Sequence, residues 1–430
     1  MGNGVVRIGV LGCGHVGSAL LQLLASAEGR LESRIGARLE VTRVAVRSLT
    51  RERNVPVPAE LFTHDAEEVV SDPEVDVVVE LIGGIEPARE LVLAALKGGK
   101  PVVTANKELL ANFGKELADA AEASGVDLLF EAAVGGGIPL IRALRESLAG
   151  ERIHRVMGIV NGTTNFVLTR MAESASSFAD ALAEAQSLGY AERDPTADIE
   201  GYDAAAKAAI LASIAFGARV VAGDVYREGI SGISASDIAS ARELGYVVKL
   251  LAIAEETGGE VAVRVHPAMV PVSHPLASVR DSFNAVFIEG EAVGDLMLYG
   301  RGAGGMPTAS AVLGDLVDAA RNLVAGSRGA VHGTLERRRV RPLDEMESQF
   351  YLLVEVADRP GVLAAIAGVF GRHGMSIKSM RQKGLADDAR LIFITHRARE
   401  SALAATVAEV RQLDVVHKVG SIVRVVGEED

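Results

Sequence analysis

The first third of the chain alternates short β-branched runs with stretches of helical period. VVRIGVLG (5–12), LEVTRVAVR (39–47), VDVVVELIG (75–83), KPVVTA (100–105) and DLLFEAAV (127–134) read as strands. Helix-length segments such as Val16 to Ala27 and Pro87 to Lys97 separate them. Strands covered on both faces read as continuous apolar runs, so this alternation predicts an α/β unit built on a doubly wound parallel sheet of Rossmann type.

Beyond residue 135 the pattern changes. An acid-rich loop runs into an Ala-rich helix, apolar nearly all round, within 189–217; β-like runs VAVRVHPAMV (261–270) and NAVFIEG (284–290) follow. This predicts a separate α+β unit around a buried helix. Met306 to Val324 is a further helix, expected to return and pack on the first unit. An arginine-rich stretch, 327–347, loses the periodicity and reads as a linker. The remainder gives βαββαβ, a compact ferredoxin-like order. The expected units are 1–134, with 305–326 packed back on it, then 135–304, and finally 348–430.

The length of 430 residues exceeds what one core organises, which agrees with several units. A formal charge of −13 argues against nucleic acid or an anionic membrane as partner, because phosphate binding needs a basic face. Cys13 is the single cysteine, so an internal disulfide and a multi-cysteine zinc site are excluded, and a reducing cytoplasm is expected. The start of the chain lacks a signal-peptide pattern. The longest uncharged apolar stretch, Ala208 to Ala218, falls short of the ~20 residues that cross a bilayer, so a soluble protein is expected.

GCGHVG (12–17) follows an apolar strand and opens an amphipathic helix. Gly12 allows the tight turn, Gly14 lets the backbone approach a pyrophosphate, and Gly17 permits close helix–strand packing, with the amides of His15 and Val16 at the helix start. That context points to dinucleotide binding. The second strand ends in VAVRSLTR, with Arg47 where NAD-specific sites carry an acid, so NADP(H) is expected to be preferred and NAD(H) possible. A solvated loop charge is the other reading of Arg47.

Two lysines stand out. TANKELLA (104–111) places Lys107 just past the carboxyl end of a strand, the edge where open α/β sheets bind ligands. Asp203 and Lys207 lie four residues apart on the Ala-rich helix and share a face, and an ion pair on a buried helix is costly unless it is hydrogen-bonded and useful. Asp198 lies about one turn upstream, where it could equally cap the helix, and Glu192 lies in the preceding loop. Such a carboxylate pocket suits an ammonium group, hence an amino-acid substrate.

Taken together, TANK (104–107), EAAVGGGIP (131–139) and GYAERDPTADIEGYDAAAKAAILA (189–212) resemble the homoserine dehydrogenases, over residues 5 to 325. The resemblance implies reversible hydride transfer between NAD(P)H and L-aspartate 4-semialdehyde, giving L-homoserine on the route to threonine and methionine. It implies Lys207 as proton donor, Lys107 as its partner near cofactor and substrate, Asp198 and Asp203 as orienting groups, and Glu192 on the homoserine amino group. It also implies a Na+ or K+ site at Glu131 and the backbones of Val134, Gly136 and Ile138, and a cofactor-side turn at Gly302. The first unit would then be the NAD(P)-binding domain, and the second the catalytic and dimerisation domain of a homodimer or homotetramer.

The C-terminal βαββαβ resembles an ACT domain, with DRPGVLAAIAGVFGRHGMSIKSM (358–380) carrying turn, helix and second strand. This implies a regulatory amino-acid site, with L-threonine the expected effector. Gly374, Met375 and Ser376 stand where many ligand-binding members carry Asn-Ile, which leaves dimerisation alone as the alternative. A semialdehyde dehydrogenase would need a thiolate nucleophile, and Cys13 lies within the glycine loop. A 2-hydroxyacid dehydrogenase would need a histidine–carboxylate couple, for which His154, His266 and His274 offer no setting. A catalytically silent sensor would not require the lysine and carboxylate set.

Overall fold

The computed structural model describes residues 4–330, 333, 335–384 and 389–427. Positions 331, 332 and 334 of the expected linker, 385–388 of the third unit and the chain ends lie outside them.

A six-stranded sheet comes first: β1 (Gly4–Leu11), β2 (Ala37–Ala45), β3 (Phe62–Thr63), β4 (Val77–Glu80), β5 (Val102–Thr104) and β6 (Leu128–Leu129), in the order β3-β2-β1-β4-β5-β6. Every pairing is parallel, and the order reverses between β1 and β4, the crevice where open sheets take dinucleotides. Helices α1 (His15–Ile35), α2 (Ala66–Ser71), α3 (Ala88–Lys97) and α4 (Lys107–Ser124) connect the strands. Helix α1 runs on past Ala27 because Leu31 and Ile35 keep its apolar face buried, until Gly36 ends it in the left-handed conformation. The run expected as a strand over 127–134 is shorter. Only Leu128 and Leu129 pair with β5, and Glu131–Ala133 turn into a 3₁₀ helix whose first amide donates to Asp315.

Helix α5 (Leu140–Arg142), continued by a π turn over Ala143–Ser147, leads into the second unit. Its elements are β7 (Ile153–Ile159), α6 (Gly162–Ser174), α7 (Phe178–Ser187), α8 (Thr196–Ile199), α9 (Tyr202–Phe216), β8 (Tyr226–Arg227), α10 (Ala235–Glu243), β9 (Tyr246–Thr257), β10 (Glu260–Pro271), β11 (Phe283–Gly290) and β12 (Gly294–Arg301). Helix α9 lies beneath the sheet with Ala204, Ala205, Ala208, Ala209 and Ala212 all buried; small residues let it approach the strands closely. Helix α11 (Gly305–Ala325) then returns to α1, burying Ala309, Val312 and Leu316 in one cluster with Leu20 and Leu24.

The C-terminal elements are β13 (Glu347–Val356), α12 (Val362–Arg372), β14 (Ile377–Lys383), β15 (Arg390–Thr395), β16 (Ala398–Arg399), α13 (Glu400–Val410) and β17 (Val416–Val425). Their sheet order, β17-β13-β15-β14, is ferredoxin-like. This sheet is not a separate body: β17 pairs with β10 in parallel through Ala268 with Arg424 and Met269 with Val425, so one sheet runs from β12 to β14. The stretch expected as a linker is anchored too. Arg219 donates to the Glu336 carbonyl, Val261 to that of Arg339, and Arg341 back to that of Val261. Loss of apolar periodicity marked a strap held by backbone hydrogen bonds and by Arg339 pairing with Glu260 and Glu345.

Candidate active site

The glycine loop has the close contacts its sequence requires. Gly12 has φ of 103°, and a Cβ there would stand 2.6 Å from the Leu81 carbonyl oxygen; one on Gly17 would stand 2.4 Å from that of Gly12. A Cβ on Gly14 would meet nothing within 4 Å, so the loop presents open space in front of the α1 N-terminus. His15 is exposed and opens α1, and Val16 lines the cleft described below. The Gly12 amide donates to Ala45, the last residue of β2, which brings the exposed Arg47 to the same edge of the sheet. These residues fit a dinucleotide: a bare backbone and helix amides for the pyrophosphate, with a cation beyond the second strand.

At the carboxyl ends of β4 and β5, Glu80 is fully buried. Its Oε1 accepts the amides of Ile82 and Gly83 at 2.8 and 3.0 Å, and its Oε2 accepts the Thr104 hydroxyl at 2.5 Å. Asn106 caps α4 through Leu109 and donates to the Gly84 carbonyl at 2.6 Å. This polar packing fixes the first turn of α4, and with it Lys107.

Between the two sheets lies a cleft of about 650 Å³, to which Lys107, Glu192, Asp198, Asp203, Lys207 and Gly302 all contribute. At its floor Asp203 is buried and binds both lysines: Lys107 Nζ lies 2.7 Å from Oδ1 and Lys207 Nζ 2.7 Å from Oδ2. Lys207 also donates to the Val160 carbonyl at 2.7 Å. Burial alone would raise the Asp203 pKa, but the two ammonium groups outweigh it and hold the carboxyl well below its usual range. Burial pulls the Lys107 ammonium down, and Asp203 more than restores it, leaving its pKa raised. Asp198 is half-buried on α8, with Asn161 Nδ2 at 2.7 Å from one oxygen and the Thr163 hydroxyl at 2.9 Å from the other. Glu192 is exposed at the mouth.

The sequence reading missed Val160, Asn161 and Thr163. A signal existed: an Asn followed by Gly-Thr-Thr, directly after an apolar run, is a helix N-cap pattern, and Asn161 does cap α6 through Thr164.

The Gly135-Gly136 turn lies beside the cofactor edge. Both glycines have positive φ, and a Cβ on Gly136 would stand 2.4 Å from the Gly302 carbonyl oxygen. Gly302 in turn sits directly on the Asn284 side chain, so neither turn admits a side chain. Among the described residues, no protein donor reaches the carbonyl oxygens of Val134 or Gly136, although Val134 is fully buried. The Ile138 carbonyl accepts Leu140. The Glu131 carboxylate accepts the amides of Ile141 and Arg142, each at 2.8 Å, and burial raises its pKa. Val134 and Gly136 are buried residues whose carbonyls take no donor from the described residues, and hard oxygen donors of this kind suit a monovalent cation.

A parallel sheet with an open glycine loop, facing a cleft whose floor holds two lysines on one carboxylate, defines a nicotinamide-dependent oxidoreductase. The family comparisons name it more closely. Residues 12–131 match the family described as homoserine dehydrogenase, NAD binding domain, residues 139–317 match homoserine dehydrogenase, and residues 350–415 match the ACT domain. The chain is 54% identical to the homoserine dehydrogenase of Corynebacterium glutamicum, over 97% of this chain and 95% of that one. It is 52% identical to that of Mycobacterium tuberculosis, over 98% of each. The solved homoserine dehydrogenase of Thiobacillus denitrificans superposes with a TM-score of 0.93 at 42% identity, over 98% of this chain and 99% of that one. A hyperthermophilic archaeal homoserine dehydrogenase, solved in complex with NADPH, superposes with a TM-score of 0.62 at 31% identity, over 73% of this chain and 97% of that one. The chain belongs to the homoserine dehydrogenase family.

Proposed function

We propose that this chain catalyses the reversible reduction of L-aspartate 4-semialdehyde to L-homoserine (EC 1.1.1.3), with NADP(H) preferred over NAD(H). The observation that carries the reading is the bridge from Lys107 through Asp203 to Lys207 at the cleft floor. A bound nicotinamide supplies or accepts the hydride. Reduction of an aldehyde puts negative charge on its oxygen, which the Lys207 ammonium stabilises and protonates; in the reverse direction neutral Lys207 takes the hydroxyl proton. Asp203 keeps the lysine aimed and compensates its charge, and Lys107 adds a second positive group at the cofactor side. Asp198 orients the substrate, and Glu192, at the mouth, receives its ammonium group. No covalent intermediate is needed.

The preference for NADP(H) rests on Arg47 beyond β2, and the NADPH complex of the archaeal relative supports it. A Na+ or K+ ion is assigned to the turn formed by Glu131, Val134, Gly136 and Ile138, where it would brace the glycine turn against Gly302. L-Threonine is the proposed effector at the C-terminal unit, a homodimer or homotetramer the proposed assembly and the cytoplasm the proposed compartment. No helix among the described residues is long and apolar enough to cross a membrane. In the ACT-like unit, Gly374 takes the left-handed conformation and Met375 is buried against Thr406. An effector there would therefore meet backbone where an Asn side chain would stand.

The test is direct. Purified protein with NADP and L-homoserine in alkaline buffer containing KCl should produce NADPH absorbance. Absence of a homoserine-dependent signal with either NADP or NAD refutes the activity, and a higher kcat/KM with NADH than with NADPH refutes the preference. Replacing KCl by choline chloride at equal ionic strength tests the cation, and titrating L-threonine tests the effector.

A further inference from the structure

Asn161 stands between the two carboxylates at the floor of the site, Asp198 and Asp203. It follows β7 and caps α6: its Oδ1 accepts the Thr164 amide at 2.9 Å and lies 3.0 Å from the Thr164 hydroxyl. These bonds fix the orientation of the side-chain amide, so Nδ2 must face the other way. There it donates to two carboxylates on different helices, Asp198 Oδ1 at 2.7 Å and Asp203 Oδ2 at 2.9 Å. Both amide protons are used, and the side chain is buried. Asp203 Oδ2 is the same oxygen that receives the Lys207 ammonium.

A helix cap needs only an oxygen, which Ser, Thr or Asp supplies as well as Asn. Two donors on the far side of that oxygen are an additional property, which among the capping side chains only an amide has. Asp198 and Asp203 are like charges brought close together, an arrangement that raises one carboxyl pKa unless neutral donors or cations compensate. Asn161 places a neutral donor between the two carboxylates without adding charge.

We infer that Asn161 is a positioning residue for the reaction: it ties the substrate-orienting Asp198 to the Asp203–Lys207 proton-transfer pair and fixes the charge that Lys207 faces. This rests on the assignment of Lys207 to proton transfer. The charged groups facing the pair are Lys107 and Glu108 from α4, Asp198 from α8, Glu192 from the loop before it and Arg301 from the end of β12. Asn161 is the neutral donor joining two of the carboxylates.

Two substitutions keep the cap and change the far side. Asn161→Ser removes the bridging donors. Asn161→Asp removes them and adds a carboxylate beside Lys207. In homoserine oxidation Lys207 must be neutral, so added negative charge should move the rising limb of kcat against pH to higher pH. The expected shift is about one unit for Asn161→Asp and less for Asn161→Ser. Both should lose at least about tenfold in kcat at pH 8, and Asn161→Ser should keep the higher thermal midpoint of the two, because Asn161→Asp buries a carboxylate without a partner of its own.

Unchanged kcat and an unshifted limb in both variants overturn the inference. So does a loss of kcat with no shift of the limb in Asn161→Asp, which would mean that the residue only supports the fold. Lys207→Ala is measured alongside. If it retains turnover, the proton-transfer assignment falls and this inference with it; if it is inactive while Asn161→Asp keeps its limb in place, this inference falls alone.

Discussion

Lys107 Nζ lies 2.7 Å from Asp203 Oδ1, joining the first turn of a helix in the parallel-sheet unit to the buried helix of the mixed-sheet unit. Lys207 holds the other oxygen of the same carboxylate. Neither lysine can be displaced without altering the partner of the other, so the cleft floor acts as one electrostatic unit. Asp203→Asn keeps the shape and removes the charge. It should lower kcat by about 100-fold or more while NADPH binding, read by fluorescence, changes little.

The glycine loop is limited by contact. Because a Cβ on Gly17 would stand 2.4 Å from the Gly12 carbonyl oxygen, Gly17→Ala must push the loop away from α1. Overpacking of this kind costs roughly 1–3 kcal/mol, and an NADPH Kd about tenfold weaker is expected by fluorescence titration. Gly36→Ala, in the left-handed turn after α1, meets no atom within 4 Å and should leave that Kd unchanged.

Arg47 can be tested by charge reversal. Arg47→Glu should lower the ratio of kcat/KM with NADPH to that with NADH at least about tenfold, because an acid at this strand end favours ribose hydroxyls over a 2′-phosphate. An unchanged ratio would leave Arg47 as a solvated surface charge.

The two sheet regions are bolted together by charge. Arg424 on β17 pairs with Glu400 at 2.5 Å and Glu228 at 2.7 Å, and Arg424 and Glu400 are both buried. Arg424→Met leaves Glu400 buried without its partner and should cost about 3–5 kcal/mol in urea unfolding. Arg424→Met combined with Glu400→Leu should recover most of that loss. Glu228 follows β8, and its neighbours on both sides pack on the site helices: Ile230 donates to the Ile199 carbonyl at the end of α8, and Arg227 lies over the ring of Tyr202, the first residue of α9. Any measured effect of Arg424→Met on kcat would therefore reach the site through the segment that carries Asp198 and Asp203.

His266 is fully buried on β10. Burial first, then Arg424 and Arg264, lower its pKa well below the ordinary value. Its Nδ1 lies 2.9 Å from the Pro267 carbonyl, a contact the neutral ring makes by donating. The folded state thus refuses a proton that the unfolded chain accepts near pH 6.5. Its contribution to stability is complete above that pH and is lost as pH falls below it, by up to ~1.4 kcal/mol per unit. Between pH 7 and pH 5, His266→Leu should lose less stability than the unsubstituted protein.

The sequence by itself determined what depends on local spacing. Three glycines at this spacing between a strand and a helix favour one kind of turn, so the dinucleotide loop was legible, as were Asp203 and Lys207, which helical period alone puts on one face. The βαββαβ order of the C-terminal elements was equally local. Tertiary structure decided the rest, because it depends on which segments meet. Asn161 carries an ordinary capping pattern, and only the approach of α8 and α9 turns its amide into a bridge between two carboxylates. Lys107 was legible as a residue at the ligand-binding edge of the parallel sheet, but its partner was not: only the tertiary structure brings Asp203, from another unit, to 2.7 Å. The stretch over 327–347 lost apolar periodicity in the way a free linker does, yet its backbone is held by Arg219 and Val261. The union of β10 with β17 was invisible for the same reason: hydrogen bonding between strands far apart in sequence leaves no periodic trace, since each strand's pattern records only that its faces are buried and not what lies at its edge.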